Sequence, residues 1–359
     1  MSKTPQEMKR YPVRKNEVLQ GWDSADELIL EHIQTLELQG KRLLIINDQF
    51  GAMSCALMDQ DITVYTDSYV SYKGIELNSD GKIKAENSLS SLQGFYDYVL
   101  IQLPKNMSFF EDILAHLTKH LKASSQVICT SMVKHLAPMS FDLLQKYIGN
   151  TTTSLAKKKA RLIFASFEKE AVTSPYPKEV KIEGFEKTFT NFSNLFSREK
   201  LDIGTRFFLE HLPQGPFERI LDLGCANGIV GIKAKLMNPA AQILFSDESA
   251  MAIESAKINF QKMTGSEPEL YWTNCFENQP KNSVDLVLCN PPFHQQSTVG
   301  DFIAWEMFKD AYSVLRPGGK IRIIGNSHLG HQMKLKKLFG SFEMIATNQK
   351  FMICEARKS

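Results

Sequence analysis

The sequence predicts an α/β protein built from two tandem domains, each with a mostly parallel sheet and helices on both faces. The chain has 359 residues, and at about 150 residues per domain this length suggests two domains. From about residue 41, short β-rich runs alternate with longer stretches that can hold helices, which is typical of α/β folds. The same order of segments then occurs again, so we expect one domain to be duplicated.

The first set of strands consists of apolar, β-branched runs in the order "RLLIIND", "ITVYTD" and "DYVLIQL". These align with "RILDLGC", "QILFSDES" and "DLVLCNPP" in the second set, and the helical segments that follow each strand align as well. Two later matches pair "SSQVICTSMVKHL" with "GGKIRIIGNSHL" and "ARLIFASFEK" with "KFMICEARKS". The alignment predicts a first domain at 1–168, a linker with a β-hairpin at 169–200, and a second domain at 201–359.

The two copies differ at the ends of their strands. Residues 47–51, "NDQFG", stand where the second copy has "GCANG" at 224–228, so most of the glycine loop is missing from the first copy. Likewise, "QLPK" at 102–105 stands in the place of "NPPF" at 290–293. We therefore expect the first copy to be degenerate and to serve a structural or RNA-binding role.

Composition excludes several classes of protein. A net charge of +2 and a pI near 8.1 do not suggest a polybasic nucleic-acid protein as a whole. The six cysteines include no C-x-x-C pair, which argues against a structural zinc site and favours buried free thiols. With no long apolar stretch and no apolar leader, we expect a reduced, cytoplasmic protein that neither spans a membrane nor binds a metal.

The segment "ILDLGCANGIVGIKA" predicts a buried strand, a tight turn and a helix. Gly224 and Gly228 allow the backbone of the turn to approach a ligand closely, near the positive end of the helix. A simple packing turn between strand and helix is the alternative. The spacing does not fit a P-loop. Asp222, just before the loop, is expected to orient it through backbone hydrogen bonds.

Acidic and amide side chains follow the next two strands. Asp247 and Glu248 end "QILFSDES", where a carboxylate can accept hydrogen bonds from both hydroxyls of a ribose. A carboxylate that only favours a helix start is the alternative. Asn274 ends the following short strand, where its amide can meet the amine of an adenine, although a plain turn residue is equally consistent with the pattern.

The stretch "DLVLCNPPFH" ends a strand abruptly, because two prolines can neither donate to a sheet nor continue a helix. The amide oxygen of Asn290 and the carbonyl of Pro291 can accept both protons of a planar exocyclic amine, and Pro292 adds rigidity. Phe293 offers a ring on which a flipped base can stack. His294 can tune this site, or simply pack. An Asn-Pro turn with no chemical role is the alternative.

Lysine-rich segments are candidates for phosphate contacts with RNA, with a solvated charged surface as the plainer alternative. The candidates in the first copy are Lys157, Lys158, Lys159 and Arg161.

These motifs together resemble a known family. "LDLGCANG", "FSDES" and "CNPPFH" are similar to the class I S-adenosylmethionine-dependent methyltransferases, and N-P-P-F resembles the signature of those that methylate exocyclic amines. The degenerate twin, "LFSREKLDIGTRFFLEHLP" and "AWEMFKDA" further resemble the bacterial rRNA guanine-N2 methyltransferases. The resemblance implies two Rossmann-like class I methyltransferase domains with seven-stranded sheets.

The resemblance also implies roles for particular residues. The methionine part of S-adenosylmethionine would be held by Gly224, Cys225, Asn227 and Gly228. Its ribose would bind Asp247, and its adenine would lie near Asn274. Further contacts would come from Asp222, Glu248 and Asn290. The guanine would be held by Asn290, Pro291, Pro292 and Phe293. One departure is Ala226, where the family usually has glycine; a methyl group is harmless there if the backbone φ is negative.

The implied activity is methyl transfer from S-adenosylmethionine to the N2 amine of a guanine in 23S rRNA, guanine 1835 by the resemblance, by a monomer. Three alternatives remain open at this stage: an enzyme acting on a guanine of 16S rRNA, a protein glutamine methyltransferase, and a non-enzymatic RNA-binding factor. The duplicated domain argues against the second, and the intact loop of the second copy argues against the third.

Overall fold

In a computed structural model, which describes residues 5–292 and 298–359, the chain forms two units, Met1–Tyr176 and Pro177–Ser359. Both are α/β, as predicted. Within the described ranges, none of the helices combines the length and the apolarity that crossing a membrane requires.

The first unit contains one mixed sheet. Its strands are β1 (Arg42–Ile46), β2 (Asp61–Tyr65), β3 (Tyr98–Gln102), β4 (Gln126–Met132), β5 (Thr151–Thr153) and β6 (Ala160–Ser166). Its helices are α1 (Ser24–Ile33), α2 (Ala52–Ala56), α3 (Tyr69–Asn78), α4 (Met107–Leu117) and α5 (Met139–Tyr147). The strand order is β2-β1-β3-β4-β6-β5, with β6 antiparallel to both of its neighbours and the other pairs parallel.

The second unit begins with an antiparallel hairpin, β7 (Lys178–Val180) and β8 (Phe189–Asn191). Its main strands are β9 (Arg219–Leu223), β10 (Gln242–Asp247), β11 (Glu269–Trp272), β12 (Val284–Cys289), β13 (Leu315–Asn326), β14 (Glu343–Thr347) and β15 (Phe351–Arg357). Its helices are α6 (Ile203–Leu209), α7 (Ile229–Met237), α8 (Ala250–Thr264), α9 (Thr298–Val314) and α10 (His331–Phe339). The sheet order is β11-β10-β9-β12-β13-β15-β14, parallel except at β15.

The two sheets share one connectivity, but the prediction of seven strands in each is wrong for the first unit, whose described sheet has six. No described strand corresponds to β11. At that place Glu86 forms a single bridge with Tyr65, exchanging backbone hydrogen bonds with Val64 and Thr66. Ser88 then caps a 3-10 helix at Leu89–Ser91, so the chain turns away before a second pair can form.

The sheet of the second unit is buried on both faces, which explains why its strands are almost uniformly apolar. Alternate residues of each strand contribute to different cores, because side chains of a strand point to opposite faces. Ile220 packs in one core with residues of α7 and α8, and Leu221 packs in the other with residues of α9 and α10. The helices cover the two faces of the sheet and leave the carboxyl ends of the central strands β9, β10 and β12 uncovered.

Candidate active site

A cavity of about 540 Å³ lies at the carboxyl ends of β9, β10 and β12. Of the residues predicted to form the site, it is lined by Asp222, Gly224, Cys225, Asn227, Asp247, Glu248, Asn290, Pro291 and Pro292. Gly228 and Asn274 are not part of its wall. Phe293 and His294 lie outside the described residues. The strand ends therefore bring together residues that are up to about seventy positions apart in the chain.

The loop between β9 and α7 is wound by residues with positive φ. Gly224 has φ 79°, Ala226 has φ 47° and Gly228 has φ 81°. The condition under which a methyl group at Ala226 would be harmless, a negative φ, is therefore not met: the loop turns through the left-handed region there, which costs a non-glycine residue about 1–2 kcal/mol. A hydrogen bond offsets part of this cost, because the Ala226 N–H donates to Asp247 Oδ2 at 2.9 Å.

Two aspartates at strand ends, Asp222 and Asp247, accept hydrogen bonds from the backbone of this loop and of the helices that follow. Asp222 is buried and accepts a hydrogen bond from the Gly231 N–H at 2.8 Å, which fixes the first turn of α7. Burial, opposed by the Gly231 hydrogen bond and assisted by the nearby charge of Asp247, raises the pKa of Asp222 to about 7. Burial likewise raises the pKa of Asp247, whose Oδ1 accepts from the Ser249 N–H at 3.0 Å.

Asn227 binds within the protein rather than presenting its polar atoms freely to the cavity. Its Nδ2 donates to Asn191 Oδ1 at 3.1 Å, and its backbone carbonyl accepts from Asn259 Nδ2 at 3.0 Å. Asn191 in turn donates to the carbonyl of Arg198 at 2.7 Å. These amides connect the β7–β8 hairpin and the segment after it to the glycine loop.

Asn274 also has a local partner: its Nδ2 lies 3.2 Å from Glu277 Oε2. The following residue, Cys275, lines the cavity instead. The predicted contact of Asn274 with an adenine stays a prediction.

Asn290 is the polar residue at the end of β12. Its Nδ2 donates to Thr205 Oγ1 at 3.1 Å, while its Oδ1 is buried and has no hydrogen-bond partner among the described residues. A buried amide oxygen without a partner is costly in a folded protein, at about 1–3 kcal/mol, and is therefore typical of a binding site. Pro291 and Pro292 continue the same wall.

Sequence reasoning missed the wall formed by the segment before β9. Phe196, Asp202 and Thr205 all line the cavity. The available signal was the helix start "LDIGT", in which Asp202 caps α6 by accepting from the Thr205 N–H at 3.0 Å. A capping pattern predicts a helix but gives no indication that the cap faces a cavity.

The corresponding loop of the first unit is covered by protein. Phe50, at the position of Asn227, is only 6% exposed, and the guanidinium of Arg10 lies 4.9 Å from its ring centroid. Asn78 Nδ2 donates to the carbonyls of both Lys9 and Phe50, at 2.8 and 2.7 Å. Asp48, at the position of Cys225, is buried and accepts from Ser54.

The basic residues of the first copy are partly engaged in ion pairs. Lys157 pairs with Glu31 at 2.6 Å and Lys158 pairs with Glu27 at 2.9 Å, with both lysines more than half exposed. Among the described side chains, no group of three or more His, Cys, Asp or Glu residues is arranged to hold a metal ion.

Comparison with known proteins gives consistent results for both units. Residues 1–169 match the RLMG N-terminal domain family, and residues 186–355 match the Methyltransferase small domain family. The ribosomal RNA large subunit methyltransferase G of Vibrio atlanticus is 41% identical, covering 97% of this chain and 94% of its own length. The protein of the same name from Stutzerimonas stutzeri is 43% identical, covering 98% and 96%.

The fold has a counterpart among solved structures. The 16S rRNA N2 G1207 methyltransferase of T. thermophilus, in complex with AdoMet and guanosine, matches with a TM-score of 0.79. The match covers 94% of this chain and 92% of that chain at 20% identity, so it demonstrates the shared two-domain fold.

Proposed function

Because the chain belongs to the ribosomal RNA large subunit methyltransferase G family, we propose that it transfers a methyl group from S-adenosylmethionine to the exocyclic N2 amine of a guanine in 23S rRNA. The relatives are similar over nearly their whole length, and their name specifies the large subunit. This favours the large-subunit rRNA over 16S rRNA as the substrate, because the 16S alternative is supported only by a similarity of fold. It also disfavours a protein glutamine substrate and a non-enzymatic role.

The observation that carries the proposal is the free amide oxygen of Asn290. This buried acceptor lies on the cavity wall next to Pro291. Proline has a backbone carbonyl that can accept a hydrogen bond but no N–H that could donate one to the Asn290 oxygen. An exocyclic amine brings two protons, and the Asn290 oxygen and the Pro291 carbonyl are suitable acceptors for them. Such contacts would orient the amine nitrogen toward a methyl donor.

The residues of the cavity fit S-adenosylmethionine. Its volume of about 540 Å³ is within the usual range for small-molecule sites. Among the described residues, a Cβ added at Gly224 would meet only Met307 Cε, at 3.2 Å, so the missing side chain leaves room beside the loop backbone. The carboxylate of Asp247 accepts backbone hydrogen bonds from Ala226, Ser249 and Glu248. Its two oxygens together have about four lone-pair sites, so it can still accept from a ribose hydroxyl. When bound, this cofactor supplies an electrophilic methyl group on a sulfonium.

The contribution of the protein to such a transfer is chiefly positional. The guanine amine is a weak base, so the side chains need to hold it in line rather than remove a proton beforehand, and good positioning is worth about 7–11 kcal/mol. The amine proton can leave to water after transfer. We further propose that Phe293 stacks on the base and that the first unit contributes to RNA binding.

Asn290→Ala tests this proposal. We expect methylation of unmodified 23S rRNA to fall about 100- to 1,000-fold, as for the loss of one transition-state hydrogen bond. Turnover should fall far more than the affinity for S-adenosylmethionine or the thermal stability, because the glycine loop is untouched. The methylated nucleotide is mapped by mass spectrometry after incubation with naked 23S rRNA, 16S rRNA or ribosomal particles.

Two outcomes would contradict the proposal. If the wild type modifies 16S rRNA or protein but no guanine of 23S rRNA, the substrate is wrong. If Asn290→Ala lowers stability while the activity per folded molecule is unchanged, the Asn-Pro turn is structural.

A further inference from the structure

The hydrogen bonds behind Asn290 form a chain with a defined direction. Asp202 Oδ2 accepts from the Thr205 N–H at 3.0 Å and from the Thr205 hydroxyl at 3.4 Å. Thr205 Oγ1 then accepts from Asn290 Nδ2 at 3.1 Å. Thr205 is only 7% exposed, whereas Asp202 is partly exposed, and both line the cavity.

This direction is not arbitrary, because a carboxylate only accepts hydrogen bonds. The Thr205 hydroxyl lies 3.4 Å from Asp202 Oδ2, and with its proton on the side of that carboxylate its oxygen accepts from the end of the Asn290 amide that faces it. Only the NH₂ end can donate. The other end, Oδ1, is therefore turned away from Thr205, and this buried atom has no partner within the described ranges 5–292 and 298–359.

We propose that Thr205, with Asp202 behind it, is a positioning residue that selects the amide orientation of Asn290, so that an acceptor rather than a donor meets the substrate. The inference rests on the proposed function, since it assigns a purpose to the Asn290 oxygen in methylating an amine. With the amide reversed, its NH₂ group would face the NH₂ of the guanine, and two donors cannot bind each other.

Thr205→Val is the informative change, because valine keeps the β-branched shape and the backbone N–H that Asp202 caps but removes the hydroxyl. Turnover on 23S rRNA should fall about 10- to 100-fold, as expected if the amide oxygen meets the substrate in only about 1–10% of molecules once its orienting partner is lost. Affinity for S-adenosylmethionine should stay within about twofold. Thr205→Ser, which restores the hydroxyl, should recover most of the lost turnover.

A double mutant separates this role from a general one. If Thr205 acts through Asn290, adding Thr205→Val to Asn290→Ala should slow turnover no further, because residues that act as a unit are not additive. Fully additive losses, or a Thr205→Val enzyme as fast as the wild type, would overturn the inference.

A second readout does not depend on activity. In protein labelled with ¹⁵N-asparagine, the side-chain NH₂ signal of Asn290, identified by its absence in Asn290→Ala, should move in Thr205→Val and return close to its original position in Thr205→Ser. An unmoved signal would overturn the hydrogen-bond chain. If the wild type is inactive on 23S rRNA but the Asn290 signal does move in Thr205→Val, the proposed function is wrong and the chain of hydrogen bonds is supported.

Discussion

At the scale of single residues, the buried carboxyl groups under the glycine loop should make stability depend on pH. Asp222 has a pKa near 7 in the folded protein, against an ordinary value of 3.8. Between about pH 4 and pH 7 the folded protein therefore keeps a proton that the unfolded chain has released. It follows that the free energy of unfolding falls as the pH rises through this window.

Asp222→Asn removes this titration while its side-chain oxygen can still accept from the Gly231 N–H. We expect the fall in the free energy of unfolding between pH 5 and pH 7 to become shallower, by at most about 1.4 kcal/mol per pH unit. Urea unfolding of wild type and variant at both pH values measures this. Identical pH dependences would show that Asp222 is ionised in the folded protein throughout.

Single residues also show where sequence reasoning succeeds and where it fails. The place of Asn290 on the cavity wall was predictable because two prolines after an apolar strand are a local anomaly. Thr205 was not, because its contact with Asn290 joins residues 85 positions apart. The positive φ of Ala226 was missed for a similar reason, since the bond that favours it comes from Asp247, on another strand.

At the scale of elements, the packing of α7 against α8 depends on the start of α7. Gly228 has φ 81°, and a Cβ there would lie 3.0 Å from both Cα and Cβ of Ala256 in α8. Gly265, at the end of α8, has φ 68° but open space around the same position. Both glycines have a positive φ, which favours glycine, but of the two it is Gly228 that lies close to a neighbouring helix.

Gly228→Ala should therefore destabilise the protein more than Gly265→Ala. Both variants carry the left-handed backbone cost of about 1–2 kcal/mol. Gly228→Ala adds overpacking against the backbone of α8, which typically costs about 1–3 kcal/mol. Chemical unfolding compares the two, and equal losses would mean that α8 yields to the added methyl without cost.

The strand, turn and helix units themselves were predictable, because their apolar periods are local. The missing counterpart of β11 was not: Glu86 does pair with Tyr65, and only the cap at Ser88 ends the pairing after one residue. A short polar segment at a sheet edge has no apolar pattern that would distinguish a strand from a single bridge.

At the scale of the whole molecule, the duplication leaves two loops with the same connectivity but different surroundings. In the first unit, Phe50 fills the loop and Arg10 lies over it, and Met8 packs in a small apolar cluster with Ala52. In the second unit, the corresponding loop opens on a cavity. The copy that lacks the glycines thus has a loop filled by side chains of the protein. The role of the first unit stays a prediction.

The intact chain should accordingly bind about one S-adenosylmethionine, in the second unit. Asp247→Asn should lower the measured affinity at least about tenfold, because a charged acceptor for the ribose becomes a neutral amide. The control change Asp67→Asn, at the acidic residue after β2 that takes the place of Glu248 in the first unit, should leave the affinity unchanged. Calorimetry of the full chain measures stoichiometry and affinity, and a second binding event that disappears with Asp67→Asn would show that the first unit is not degenerate.

The last prediction concerns RNA binding by the first unit. Lys157 and Lys158 are more than half exposed, and exposed ion pairs with Glu31 and Glu27 are worth only about 0–1 kcal/mol each, so phosphates can replace the glutamates. Changing both lysines to Gln should weaken RNA binding and reduce the slope of log K against log salt by about 1.4 to 1.8, as for two lost phosphate contacts.

The glutamates provide the matched control. Changing Glu27 and Glu31 to Gln removes the competing partners without touching the lysines, so RNA binding should become tighter and keep its salt slope. Filter binding or fluorescence anisotropy at several salt concentrations measures both pairs of variants. If the lysine variants bind RNA with the affinity and the salt slope of the wild type, these residues form a solvated surface and the RNA is held elsewhere.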